Sequence, residues 1–157
     1  FYHMALLSSP EKRGTSIIVA PDLFTNDFGG FIDLVQFIEE SLPKHELDGV
    51  IQLAPFHPQF EFAGEDNSKI STFTNKSPYP MIHILREAEV TAAVDQLDGD
   101  ASRVWKRNVK LLETLEDRLG SERTMKWLKN PERYDKGVKE IIKGVLKEVK
   151  MSGFDSC

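Results

Sequence analysis

Cysteine is almost missing from this chain. One thiol, Cys157, stands at the C-terminal end of 157 residues, so no internal disulfide can form and a reducing compartment is expected. Long apolar runs are missing too. Nothing approaches the ~20 residues a membrane helix needs, and no hydrophobic signal segment is present. The expected location is intracellular, in the cytoplasm or in an organelle interior such as the plastid stroma or mitochondrial matrix. Position 1 is Phe1 and not Met, which gives the expectation that an N-terminal segment has been lost. Basic charge is scarce in the first hundred residues, with 6 Lys/Arg against 16 Asp/Glu. That balance excludes a nucleic-acid surface there. Residues 101–157 reverse it, 14 against 9, and their basic surface could face an acidic partner or the acidic part of the same chain.

What remains is an ordinary globular composition, 40% hydrophobic and 29% charged, long enough for a real core. Thr15–Ala20 is a β-branched run closed by Pro21, the pattern of a strand buried on both faces. Asn26 or Asp27 can cap a helix over about 28–42, because Phe31, Leu34, Val35, Ile38 and Leu42 recur at helical spacing until Pro43. Val50–Ala54 reads as a second strand. Strand, helix, strand predicts a parallel βαβ unit, whose third strand would come from an N-terminal portion, from 59–62 or from a partner.

Residues 57–76 have no sustained period and read as a long loop. Ser77 then suits an N-cap, with Pro78 at the first position of a helix reaching about Leu97. On that helix Met81, Leu85, Ala88 and Ala92 share one face, and His83, Glu87, Val90 and Val94 the other. Helices are further expected over 102–119, 121–129 and 134–150. The last has an apolar face of Val138, Ile141, Ile142, Val145, Leu146 and Val149 and a lysine-bearing wet side.

The stretch from Gln52 to Glu87 is the least ordinary part. It reads Gln-Leu-Ala-Pro-Phe-His-Pro at 52–58, Phe-Ala-Gly at 62–64 and Thr-Asn-Lys-Ser-Pro-Tyr-Pro-Met-Ile-His-Ile-Leu-Arg-Glu at 74–87. These motifs closely resemble the domain-of-unknown-function family numbered 1415, over roughly Thr15–Leu112, with Arg107-Asn108 also fitting. Against the family pattern, the chain lacks an N-terminal segment with an Asn-Leu-Cys-Pro-Phe-type motif, has Lys76 where arginine is usual, and adds helices after Leu112. The resemblance implies a site and carries no established activity.

Two chemistries suit the stretch. His83 and Glu87, four apart on a helix, together with His57 at a strand end, would form a two-histidine, one-carboxylate set. Such a set holds a divalent metal such as iron or zinc. Alternatively Arg86, Lys76 and His83, with donors from Asn75, Ser77 and Tyr79 at a helix N-terminus, would hold a carboxylate or phosphate. His57 or Glu87 would then act as general acid or base. Gln52, on a buried strand, needs a polar partner and joins the binding set. The plainer alternatives are a packed turn histidine at 57, a Glu87 paired with His83 or Arg86, and Ser77 and Asn75 as caps.

The expected fold is α/β, a small, mostly parallel sheet with packed helices and a helical C-terminal extension; an α+β ferredoxin-like arrangement is the alternative. The expected division is 1–120 as the family domain and 121–157 as the extension, packed on it or on a partner. Two functions follow: a small-molecule enzyme or binder with its site between strand 50–55 and helix 78–97, or a non-catalytic accessory subunit of a larger, organellar assembly.

Overall fold

The computed structural model describes residues 2–9, 11–64, 69–129 and 136–149. They fall into two compact units, Phe1–Phe60 with Asn75–Asp95, and Glu61–Thr74 with Gln96–Cys157.

The first unit holds α1 (Tyr2–Ser8), β1 (Ser16–Val19), α2 (Phe28–Ser41), β2 (Ile51–Phe56), β3 (Met81–Arg86) and α3 (Glu87–Asp95). Helix α2 starts as its sequence requires. Asp27 leaves helical geometry, and its carboxylate accepts the Gly30 amide at 2.9 Å. Pro43 ends the helix in a short 3₁₀ turn, Pro43–His45. Phe31 and Val35 of α2, with Met4 and Leu7 of α1, close over Ile51, Leu53, Ile82 and Ile84, and Leu42 and Leu47 complete that core.

The sheet order is β1-β3-β2, with β3 antiparallel to both neighbours. The mostly parallel sheet is thus corrected to an antiparallel one, although the chain is a mixture of helix and strand as expected. β1 and β2 do point the same way, as a β-α-β unit requires, but β3 lies between them. This is a split β-α-β order, of the kind found within ferredoxin-like folds. The third strand comes from neither an N-terminal portion nor 59–62. It comes from 81–86, which had read as the middle of a helix.

The reason is visible in the side chains. Ile82 and Ile84 are buried on the helix-covered face, while Met81, His83 and Leu85 alternate onto the other. A helix from Ser77 to Leu97 is therefore replaced by a strand and a nine-residue helix, α3. Pro78 and Pro80, compatible with a first helical turn, lead instead into β3. Strand β1 is a second correction. It is not buried on both faces: Ile17, Ile18 and Val19 are 54%, 40% and 49% exposed on an edge strand.

The second unit is helical. It contains α4 (Ser102–Leu119), α5 (Ser121–Lys129) and α6 (Lys136–Val149), close to the spans read from periodicity. A 3₁₀ segment, Ile70–Asn75, joins the two units in the chain. Leu115, Val145 and Val149 form the buried centre, with Leu111, Leu119, Trp127, Ile141 and Ile142 around it. Arg118 of α4 pairs with Glu148 of α6. Leu146, expected on the apolar face of the last helix, is exposed, as is Val104 of α4. The ends of the last predicted helix, 134–135 and 150, lie outside the described residues. Among the described residues no helix is long and apolar enough to cross a membrane.

Candidate functional site

The motif residues meet where β2 ends and β3 begins. Phe56 pairs with Met81 in the ladder, and His57 follows immediately. His57 is completely buried. Its Nδ1 accepts the Gln59 amide hydrogen at 3.0 Å, so that nitrogen carries the lone pair. The ring proton then sits on Nε2 and is donated to the Phe24 carbonyl at 2.7 Å. Phe28 and Phe31 flank the ring, with centroids 5.3 and 5.2 Å away. Both nitrogens of His57 are engaged inside the fold. Phe24 has φ +59, a left-handed conformation unusual for a bulky residue. The His57 bond holds that turn in the shape that leads to the Asp27 cap.

Asn75 closes the outer edge of β2. Its carbonyl accepts the His57 amide at 3.2 Å, and its side-chain nitrogen donates to the Pro55 carbonyl at 3.4 Å. Ser77 does not cap a helix. Its hydroxyl donates to the Tyr79 carbonyl at 2.5 Å and shapes the turn into β3. Tyr79 is exposed and Lys76 half-buried.

The other candidates lie elsewhere. His83, in the middle of β3, has Ile17 and Ala54 as its ladder partners, and its Nε2 is 2.8 Å from the Thr15 hydroxyl. Gln52 is exposed on the same face, opposite Leu85, and so escapes the burial that seemed to demand a partner. Arg86 is at the far end of β3, opposite Ile51. Five residues at ~3.3 Å each put it about 17 Å along the strand from Met81. Glu87 begins α3, and its amide donates to the Val50 carbonyl at 3.0 Å. Since β3 replaces the helix, His83 and Glu87 do not share a helical face. Among the described residues no group of three or more His, Cys, Asp or Glu side chains is gathered as metal ligands would be.

At that far end a structural contact stands out. Gly14, with φ +97, gives its amide to both carboxylate oxygens of Glu89 at 3.2 Å. A side chain at position 14 would strain this turn, which leads directly into β1.

What the motif reading missed is the bare outer edge of β1. Ala20 donates its amide to the Pro80 carbonyl at 2.9 Å. By the alternation of an antiparallel ladder, Ser16, Ile18 and Ala20 therefore turn their backbone groups toward β3, and Ile17 and Val19 turn theirs outward. The edge is apolar, uncharged over Ser16–Val19 and free of proline. The signal was present in that composition, but a strand buried between neighbours has the same one.

Among the described residues of the second unit two hollows are lined as follows. One, about 150 Å³, is lined by apolar side chains such as Leu111, Leu115 and Val145; the other, about 410 Å³, borders Gly120, Arg123 and Lys126.

Residues 2–122 match the model of a family described as "Protein of unknown function (DUF1415)". No curated protein and no solved structure matches the chain.

Proposed function

The chain belongs to the DUF1415 family of proteins of unknown function, and from that premise we propose that it is a non-catalytic accessory subunit. It presents the open edge of β1 to another polypeptide, which adds a strand to the sheet. The supporting observation is the exposure of Ile17, Ile18 and Val19 beside outward-facing backbone groups. Such an edge is a template for strand addition, in which main-chain bonds give affinity and alternate side chains give selectivity. The motif residues then serve as framework. His57 fixes the 24–27 turn, Asn75 seals β2, and Ser77 sets the entry to β3.

The test is amide hydrogen exchange at Ile17 and Val19, in the free chain and in the assembly isolated from source cells. Assembly should slow exchange at these two amides by at least tenfold, and Ile17→Lys should prevent assembly. An assembly that forms equally well with Ile17→Lys would refute the proposal.

A small-ligand site at the β2–β3 end is the second reading. It is favoured by one observation, the gathering of Asn75, Lys76, Ser77 and Tyr79 next to the His57 turn.

A further inference from the structure

We infer that the helical second unit holds a binding site for a neutral, apolar small molecule about the size of one six-membered ring. The site is the hollow of about 150 Å³ among α4, α5 and α6. It belongs to the other unit of the chain, so the inference is independent of the docking role proposed for β1.

The hollow follows from how the three helices are joined. Gly120, with φ +79, turns the chain between α4 and α5, a conformation that suits glycine. The Thr124 hydroxyl then donates to the Leu115 carbonyl at 3.4 Å, which ties α5 to the C-terminal half of α4. Helix α6 packs on α4 as well, through Leu115, Val145 and Val149 and through the Arg118–Glu148 pair. Both helices lean on the same partner, and the space left among the three is the hollow. Leu112 and Leu115 of α4, Trp127 and Leu128 of α5, and Val145 and Leu146 of α6 stand around it.

Lining and volume together define the occupant. Every described side chain around the hollow is apolar. A charged or strongly hydrogen-bonding group seated there would lose its water and gain no partner. Water itself is a poor occupant, because it needs two or more polar neighbours to stay in a cavity. An apolar cavity of about 150 Å³ with leucine-type walls instead takes up a molecule such as benzene. A polypeptide segment is far too large for it. The hollow is also reachable. Leu115 and Val145 are buried at its floor, Leu112, Trp127 and Leu128 are half-buried, and Leu146 is 45% exposed at the rim. Seating a ring there takes apolar surface of these walls out of water, which supplies the driving force.

The experiment uses the full chain, with benzene as the probe and methyl NMR as the readout. Benzene should shift the Leu112, Leu128 and Leu146 methyl signals along a saturating curve, with a Kd of about 0.1–1 mM for a ligand of six heavy atoms. Benzoate, the same ring with a charge, should bind at least tenfold more weakly. Leu146→Phe fills the hollow from an exposed position, so it should weaken benzene binding at least tenfold and leave the far-UV circular dichroism unchanged. Leu112→Phe fills it from α4 and should do the same; it decides the matter if Leu146→Phe does not fold. Shifts that rise without saturating, or that fall equally on exposed leucines of the first unit such as Leu6 and Leu23, overturn the inference. Benzoate binding as tight as benzene overturns it too, as does benzene binding undiminished in either phenylalanine variant once folded.

Discussion

Replacing His57 should damage the first unit far more than a surface histidine would. In His57→Ala the imidazole leaves a void between Phe28 and Phe31. Truncating a buried ring costs about 2–4 kcal/mol. The Phe24 carbonyl and the Gln59 amide also lose their partners, at about 1–3 kcal/mol each if they stay dry. A void of this size with two polar groups in its wall admits water, which restores part of both bonds. The net loss should then be about 3–5 kcal/mol, a large fraction of a typical domain stability. With a urea m-value of about 2 kcal/mol per molar, the midpoint falls by about 2 M. Circular dichroism and tryptophan fluorescence should be recorded together, because Trp105 and Trp127 both belong to the second unit. If the units unfold separately, only the circular dichroism transition moves. His57→Asn keeps an acceptor near Nδ1, and His57→Gln keeps a donor near Nε2. Each should recover about 1 kcal/mol relative to alanine. A midpoint shift below about 0.5 M for His57→Ala would refute the framework role, and equal losses in all three variants would refute the part given to the two hydrogen bonds.

Two further effects follow from helix starts. Asp27→Ala should cost about 1 kcal/mol by freeing the Gly30 amide, while Asp27→Asn should cost a few tenths; urea titration of both variants checks this. Asp100 precedes α4 and accepts from the Ser102 amide and hydroxyl. Its carboxyl is held below the usual carboxylate value by the Ser102 hydroxyl first and by Lys106 nearby. A lowered folded-state value means stabilisation that is fully present above the ordinary carboxylate range and is lost as pH falls through the folded value. The carboxyl carbon shift of Asp100, followed by NMR in acid, should titrate below that of a free aspartate. Amides near Ser102 should lose protection over the same range, and a midpoint at or above the ordinary value would contradict the Ser102 bond.

How much of this was legible in the residues depended on how local the determining contacts were. Helices α2, α4 and α5 depend on local spacing, and their spans could be read to within a residue, with Asp27 one of the two caps, beside Asn26, that the residues offered for α2. Strand β3 could not. Met81, Leu85, Ala88 and Ala92 satisfy a helical period, while Ile82 and Ile84 satisfy a period of two within the same segment. What decides between them is the presence of β1 and β2 on either side, 66 and 31 residues earlier in sequence counted from Ile17 to its ladder partner His83 and from Leu53 to its partner Ile84. No local propensity carries that. The same holds for His57. Its residue type and position flagged it as special, but its partner Phe24 lies 33 residues away, and only the folded chain shows both nitrogens engaged. The metal set rested on placing His83 and Glu87 one helical turn apart, so it loses that basis once residue 83 is in a strand.

The extent of the family match bears on which surface to regard as the working one. It runs from residue 2 to 122 and so takes in all three strands, α1 to α4 and the first residues of α5. Helix α6 lies beyond it, and its lysines, which suggested a docking face in the sequence, belong to the part outside the match. α6 also has a demand of its own: Val145 and Val149 are buried against α4, and Glu148 pairs with Arg118. An apolar face already buried within its unit is not free to receive a partner. The β1 edge is the opposite case. It belongs to the matched region, its apolar side chains are exposed, and its outward amides and carbonyls lie beyond the reach of β3. A partner that binds through main-chain groups has such groups to bind there, and for that reason interaction studies should begin at Ile17 and Val19, not at the lysines of α6.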